Sequence, residues 1–320
     1  VGTFFCHNPG EQSSQRFINF TKIIGMTLRD TLGGTGVAII TPFTTDQQVD
    51  FPALGKLIDH IIGNGVDYIV TLGTTGETPV LDKAEKKDII QYTYEKVNDR
   101  VPVVVGIGGN DTSSLVEDLQ TYPLEKAVAV LSASPFYNKP SQQGLFEHYK
   151  QLAAASPKPL ILYNVPGRTG RNMEASTTLK LAHEVNNIAG IKEASGDMGQ
   201  CMEILRDRPD SFLVTSGDDA LALPQIACGM DGVISVAANA FPKAFSDMIR
   251  LCLKEQFAAA KKINDDLIEA YRLMFTENNP AGVKAFLFEM GIIENRMRLP
   301  VVPISASLHD EVKKYLITHR

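Results

Sequence analysis

The sequence predicts a (β/α)8 TIM barrel followed by a C-terminal helical appendix. Three observations carry this. Eight short apolar, β-branched runs recur, starting roughly 20–33 residues apart. Amphipathic segments lie between most of them, and no strand signal remains after about residue 255. The runs are continuous rather than alternating, as parallel strands buried on both faces require.

The runs are GVAIITPF (36–43), YIVTLGTTG (68–76), VPVVVGIGG (101–109), AVAVLSASPF (127–136), PLILYNVP (159–166), IAGIKEAS (188–195), FLVTSGDD (212–219) and GVISVAAN (232–239). FPALGKLIDHIIGNG sets Leu54, Leu57, Ile58, Ile61 and Ile62 at helical spacing and stops at Gly63 and Gly65. LDKAEKKDIIQYTYEKV opens on Asp82 and Glu85, spaced as a capping box. NMEASTTLKLAHEV is a further amphipathic segment. Helices are expected over 257–275, over 279–291 with Asn279 as N-cap and Pro280 at the first helical position, and over 307–319. Residues 26–255 thus read as the catalytic barrel and 256–320 as the helical region. Residues 1–25 lack periodicity and read as a non-native or disordered extension, with a packed N-terminal arm as the alternative. A doubly wound open sheet is the rival architecture. The glycines of GIGGN do not form a dinucleotide fingerprint, because the third is missing at the required offset.

Composition narrows the function. The chain has 320 residues, a net charge of −6 and 21% charged residues, with no long basic run. That argues against a sequence-independent nucleic-acid binder. No apolar run is long enough to span a bilayer. Cys6, Cys201, Cys228 and Cys252 are scattered and suggest neither zinc nor a disulfide framework, so a cytoplasmic location is expected. His60, His148 and His183 are isolated; His148 reads as a helix surface residue and Cys228 as packing. No metal or organic cofactor is expected.

In a barrel of this kind the site lies at the C-terminal ends of the strands. Run six places Lys192 there. A lysine desolvated in a barrel mouth is pushed toward the neutral amine that attacks carbonyls. The competing reading is an ion pair, for which Glu193 is a poor partner because adjacent strand residues face opposite ways. Thr74 and Thr75 of GTTGE suit a carboxylate, or an ordinary capped turn. Tyr163 is a candidate proton shuttle with Thr75 and Tyr137 as relay, or a buried tyrosine with a satisfied hydroxyl. Arg168, on a Pro-Gly loop, suits a second carboxylate, or is a surface arginine.

The motifs GVAIITPF, GTTGETPVL, SPFYNKPSQQGLFEHY, ILYNVPGRTG, GIKEASGD, SGDDALALP, GVISVAANAFP and NPAGVKAFL run in order from about residue 33 to 304. Together they resemble the dihydrodipicolinate synthase family of the pyruvate-dependent class I aldolase/lyase superfamily. The resemblance implies that Lys192 forms an imine with pyruvate and that Tyr163 is the acid/base group relayed by Thr75. It implies that Thr74 and Thr75 hold the pyruvate carboxylate, Arg168 the carboxylate of L-aspartate 4-semialdehyde, and that the Ile234 carbonyl faces the lysine. Tyr137 would enter a neighbouring protomer's site in a homotetramer built as a dimer of dimers. N-acetylneuraminate lyase and 2-keto-3-deoxy-sugar-acid aldolases, which share the imine chemistry, are the alternatives. The Thr-Thr pair and Arg168 in PGRTG favour the synthase. In lysine-sensitive members a glutamate commonly stands at Ser114 and a tyrosine at Phe136, beside Asn110; their replacement implies weak or absent inhibition by L-lysine.

Overall fold

The computed structural model describes residues 27–319. The reading of residues 1–25 therefore lies outside the described residues. After a short helix α1 (Leu28–Thr31), the chain alternates strand and helix: β1 (Gly34–Ala38), α2 (Phe51–Gly63), β2 (Tyr68–Thr71), α3 (Lys83–Val97), β3 (Val103–Gly106), α4 (Thr112–Thr121), β4 (Ala129–Ala133) and α5 (Gln142–Ala155). It continues through β5 (Leu160–Asn164), α6 (Pro166–Thr169), α7 (Ala175–Glu184), β6 (Ile188–Glu193), α8 (Met198–Asp207), β7 (Leu213–Ser216), α9 (Ala222–Ala227), β8 (Gly232–Ser235) and α10 (Pro242–Leu253). Helices α11 (Phe257–Phe275), α12 (Ala281–Glu289) and α13 (Ala306–Thr318) complete it. The eight strands form one closed parallel barrel, with β1 pairing β8 from Gly34↔Gly232 to Val37↔Ser235. The open-sheet rival is excluded.

Local signals fix the helix starts. Asp82 accepts from the Glu85 amide while Glu85 reaches back to the Asp82 amide, completing the expected capping box of α3. Asp50, Ser141 and Asp197 cap α2, α5 and α8 with one side-chain bond each. Helix α12 departs from expectation. Pro280, not Asn279, occupies the N-cap position, and the Asn279–Pro280 peptide is cis. The Asn279 side chain is committed elsewhere: its Nδ2 donates to Thr75 Oγ1 at 3.2 Å.

The strands are shorter than the apolar runs, and the overshoot at the C-terminal ends becomes loop or short turns of 3-10 helix, as at Thr74–Gly76 and Ala237–Asn239. Ile39, Ile40 and Phe43 follow β1 and are buried, so the mouth loops are themselves packed. Burial rather than ladder pairing wrote those residues into the run. Two apolar layers result. One joins the strands' outer faces to the helices. The other fills the barrel with residues such as Tyr68, Val70, Ile161, Tyr163, Leu213 and Ile234.

The appendix braces the mouth. Lys284 of α12 and Glu77 of the loop after β2 form a fully buried ion pair, and Lys284 Nζ also donates to the Arg296 carbonyl at 2.9 Å. Burial pulls the Lys284 ammonium down to about 8, against the pull of Glu77. Loss of one partner from such a pair costs about 3–5 kcal/mol.

Candidate active site

Strands β5 and β6 bring the two central residues together. Their pairing starts at Leu160↔Ile188, shifts by one residue, and resumes at Ile161↔Gly190. The shift places Tyr163 opposite Lys192 and Asn164 opposite Glu193. Tyr163 and Lys192 then face inward, and Lys192 Nζ lies 4.4 Å from the centre of the Tyr163 ring. Lys192 is 5% exposed. Its neighbour Glu193 faces the helices, where Asn164 Nδ2, Gln200 Nε2 and the Ser195 amide donate to it. The expected failure of a Lys192–Glu193 pair follows from this geometry.

A cavity of about 250 Å³ opens at the mouth. Thr74, Tyr163 and Arg168 line it, together with apolar loop residues. Lys192 is not among the lining residues; it lies behind the Tyr163 ring, in contact with its face. Thr75 is 2% exposed and accepts from Asn279. Arg168 Nη2 donates to the Asn279 carbonyl at 3.5 Å, so Asn279 links the threonine loop to the arginine loop. Ile234 is 1% exposed in the same interior cluster as Tyr163.

Tyr137 is not brought into this cavity by its own chain. It is 88% exposed at φ 73°, a backbone region that costs a bulky residue energy. No hydrogen bond joins Tyr163 to Thr75 or Tyr137 among the described residues. The loop after β2 carries the same kind of strain at Leu72 (φ 55°) and Glu77 (φ 54°). Gly106 permits it, because a Cβ there would come within 2.2 Å of the Leu72 carbonyl oxygen.

Asp219, in the loop after β7, was not a sequence candidate. Its carboxylate accepts from the Val236 and Ala237 amides at 3.1 and 2.8 Å and so fixes the chain after β8. Burial pushes its carboxyl up to about 6, against those bonds and one from Ser235. The only sequence signal was its place in SGDD. Two expectations are corrected. His148 lies on α5 but is buried, with Nδ1 2.8 Å from Thr112 Oγ1, because that face packs against α4. Cys228 is exposed, since it caps α9 at a surface turn.

A buried amine against a phenol, in a mouth carrying an arginine and threonines, suits making or breaking carbon–carbon bonds beside a ketone. That is the work of barrel lyases and aldolases. The assignment narrows on comparison, where a model of the dihydrodipicolinate synthetase family matches residues 31–319. The chain belongs to that family. It is 49% identical over 285 residues to 4-hydroxy-tetrahydrodipicolinate synthase of Parabacteroides distasonis, covering 89% of this chain and 96% of that one. Among solved structures it is similar to dihydrodipicolinate synthase from Aquifex aeolicus, with a TM-score of 0.87 and 38% identity over 90% of this chain and 98% of that one. It is similar in the same degree to the chloride-inhibited synthase from Acinetobacter baumannii complexed with pyruvate, with a TM-score of 0.87, 38% identity, and 90% and 99% coverage.

Proposed function

We propose that the chain condenses pyruvate with L-aspartate 4-semialdehyde to 4-hydroxy-tetrahydrodipicolinate, in the diaminopimelate route to L-lysine. The Parabacteroides relative is named for this product, and the Acinetobacter neighbour was solved with pyruvate. The observation that carries the reading is Lys192 Nζ set 4.4 Å from the centre of the Tyr163 ring inside the barrel. The sugar-acid alternatives are not favoured by these relatives.

In the proposed sequence, neutral Lys192 attacks the ketone carbon of pyruvate and water leaves, forming an imine. The imine is an electron sink, so a methyl proton is lost and an enamine forms. The enamine carbon attacks the aldehyde, whose oxygen takes up a proton through Tyr163. The amine of the new adduct attacks the imine carbon, closes the ring and releases Lys192. Thr74 and Thr75 hold the pyruvate carboxylate, Arg168 the aldehyde's carboxylate, and the Ile234 carbonyl faces the amine. The lining of the cavity by Thr74 and Arg168, the link of Thr75 to Arg168 through Asn279, and the packing of Ile234 in the Tyr163 cluster support these roles.

The exposure of Tyr137 supports its entry into a partner's site, in a homotetramer arranged as a dimer of dimers. We take residues 26–255 as the catalytic barrel and 256–320 as its helical brace, which the Lys284–Glu77 pair supports. A cytoplasmic location is supported by the free thiols of Cys201, Cys228 and Cys252.

Borohydride treatment followed by peptide mapping tests the mechanism. The expected result is added mass on Lys192 only when pyruvate is present; absence of trapping overturns it. Condensation of pyruvate with aspartate semialdehyde, assayed beside cleavage of N-acetylneuraminate, separates the synthase from the alternatives.

A further inference from the structure

The outer face of the β5–β6 pair carries a polar cluster that the proposed reaction does not touch. Glu193 is fully buried. Asn164 Nδ2 donates to its two carboxylate oxygens at 3.2 and 3.0 Å, Gln200 Nε2 at 3.1 Å and the Ser195 amide at 2.7 Å. The orientation of Asn164 is fixed independently. Its Oδ1 accepts from the Met173 amide at 3.0 Å, and its Nδ2 also donates to Asn172 Oδ1 at 2.8 Å. A buried carboxylate held by four donor contacts is costly to assemble and stays only where every contact is made.

Its position has a consequence for the inner face. Continuing the pairing from Leu160↔Ile188 without the shift would set Tyr163 opposite Ile191 and Asn164 opposite Lys192. The observed shift instead gives Tyr163↔Lys192 inside and Asn164↔Glu193 outside. The outer hydrogen bonds exist only in the register that makes the inner pair. Irregular pairing of this kind re-aims side chains near active sites.

We infer that Asn164 and Glu193 are positioning residues, whose hydrogen bonds lock the β5–β6 register that sets Tyr163 against Lys192. This rests on the reading of Lys192 and Tyr163 as the reacting pair. Neither Asn164 nor Glu193 reaches the cavity. Their action is geometric, and a displacement of about 1 Å at a reacting pair costs on the order of a hundredfold in rate.

The test uses the full-length enzyme and three proteins: wild type, Glu193→Gln, and the exchange Asn164→Asp with Glu193→Gln. The single change turns an acceptor into an NH2 group facing the Asn164 and Gln200 donors. The exchange restores an amide–carboxylate pair with the roles reversed, and the carboxylate introduced at position 164 still accepts from the Met173 amide. Expected for Glu193→Gln is a kcat lowered about tenfold to a hundredfold with the KM for pyruvate within about threefold, and slower borohydride trapping of Lys192. The exchange is expected to recover kcat to within about fivefold of wild type. An unchanged kcat in Glu193→Gln, or an exchange no better than the single variant, overturns the inference. If Glu193→Gln does not fold, Asn164→Ser removes the Asn164 contacts and leaves Glu193 its Gln200 and Ser195 donors; trapping as fast as wild type there overturns the inference as well. Failure of wild type to be trapped at all would remove Lys192 itself, a different outcome from trapping that is equally fast in every variant.

Discussion

Gly217, at the end of β7, lies against the Lys192 side chain. A Cβ at this position would meet Lys192 Cε at 2.9 Å and Cγ at 3.2 Å, and Ala194 Cβ at 2.6 Å. The glycine is there for space, since the lysine stem passes through the volume a methyl group would fill. Gly217→Ala is expected to cost about 1–3 kcal/mol through overpacking. It should also lower the rate of Lys192 trapping by at least about tenfold. Denaturant midpoints and trapping kinetics check the two effects. A variant that traps as fast as wild type would show that the lysine has other room.

The proposed partner role of Tyr137 predicts complementation. Tyr137→Phe and Lys192→Ala are each expected to be impaired alone. Co-expressed, mixed dimers contain one site with an intact Lys192 and a Tyr137 from the other protomer. Random pairing should restore roughly a quarter of wild-type activity. No recovery, with mixed dimers shown to be present by mass, would place Tyr137 outside the neighbour's site.

His148 predicts a pH effect on stability. Burial pushes its imidazole down to about 4 from 6.5, and its Nε2 is buried without a partner. Between these values the unfolded chain binds the proton more readily than the folded one. Stability from the neutral ring is therefore complete above the unfolded value and lost as pH falls through about 4. Lowering the pH from about 7 to about 4.5 should cost wild type on the order of 2 kcal/mol more than His148→Gln. Urea midpoints at both pH values measure this, and equal losses would refute it.

L-Lysine is expected to inhibit weakly or not at all. The Ser114 hydroxyl is turned to Asp111 at 2.7 Å, and the Asp111 carboxylate is spent capping α4 through Ser113. An incoming ammonium group would lack a free carboxylate, forfeiting about 1.5–3 kcal/mol, roughly tenfold to a hundredfold in affinity. Half-inhibition at sub-millimolar L-lysine would contradict this.

The sequence by itself determined the barrel, its helical appendix and the inward face of Lys192. Each of these rests on local information: eight buried runs, the signals between them, and a period of two that sends Lys192 and Glu193 to opposite faces. Tyr163 and Arg168 could be named because they stand at strand ends, where a barrel keeps its chemistry. The tertiary structure decided which of these residues meet. Periodicity gives a face but not the register between strands, and the one-residue shift in β5–β6 is invisible to it; that shift is what puts Tyr163 beside Lys192. The long-range partners were equally hidden. Asn279 read as a helix cap and instead joins Thr75 to Arg168, while Lys284 finds Glu77 from more than half the chain away. Tyr137 stays exposed outside the chain's own barrel, and its exposure is the feature that points beyond the single protomer.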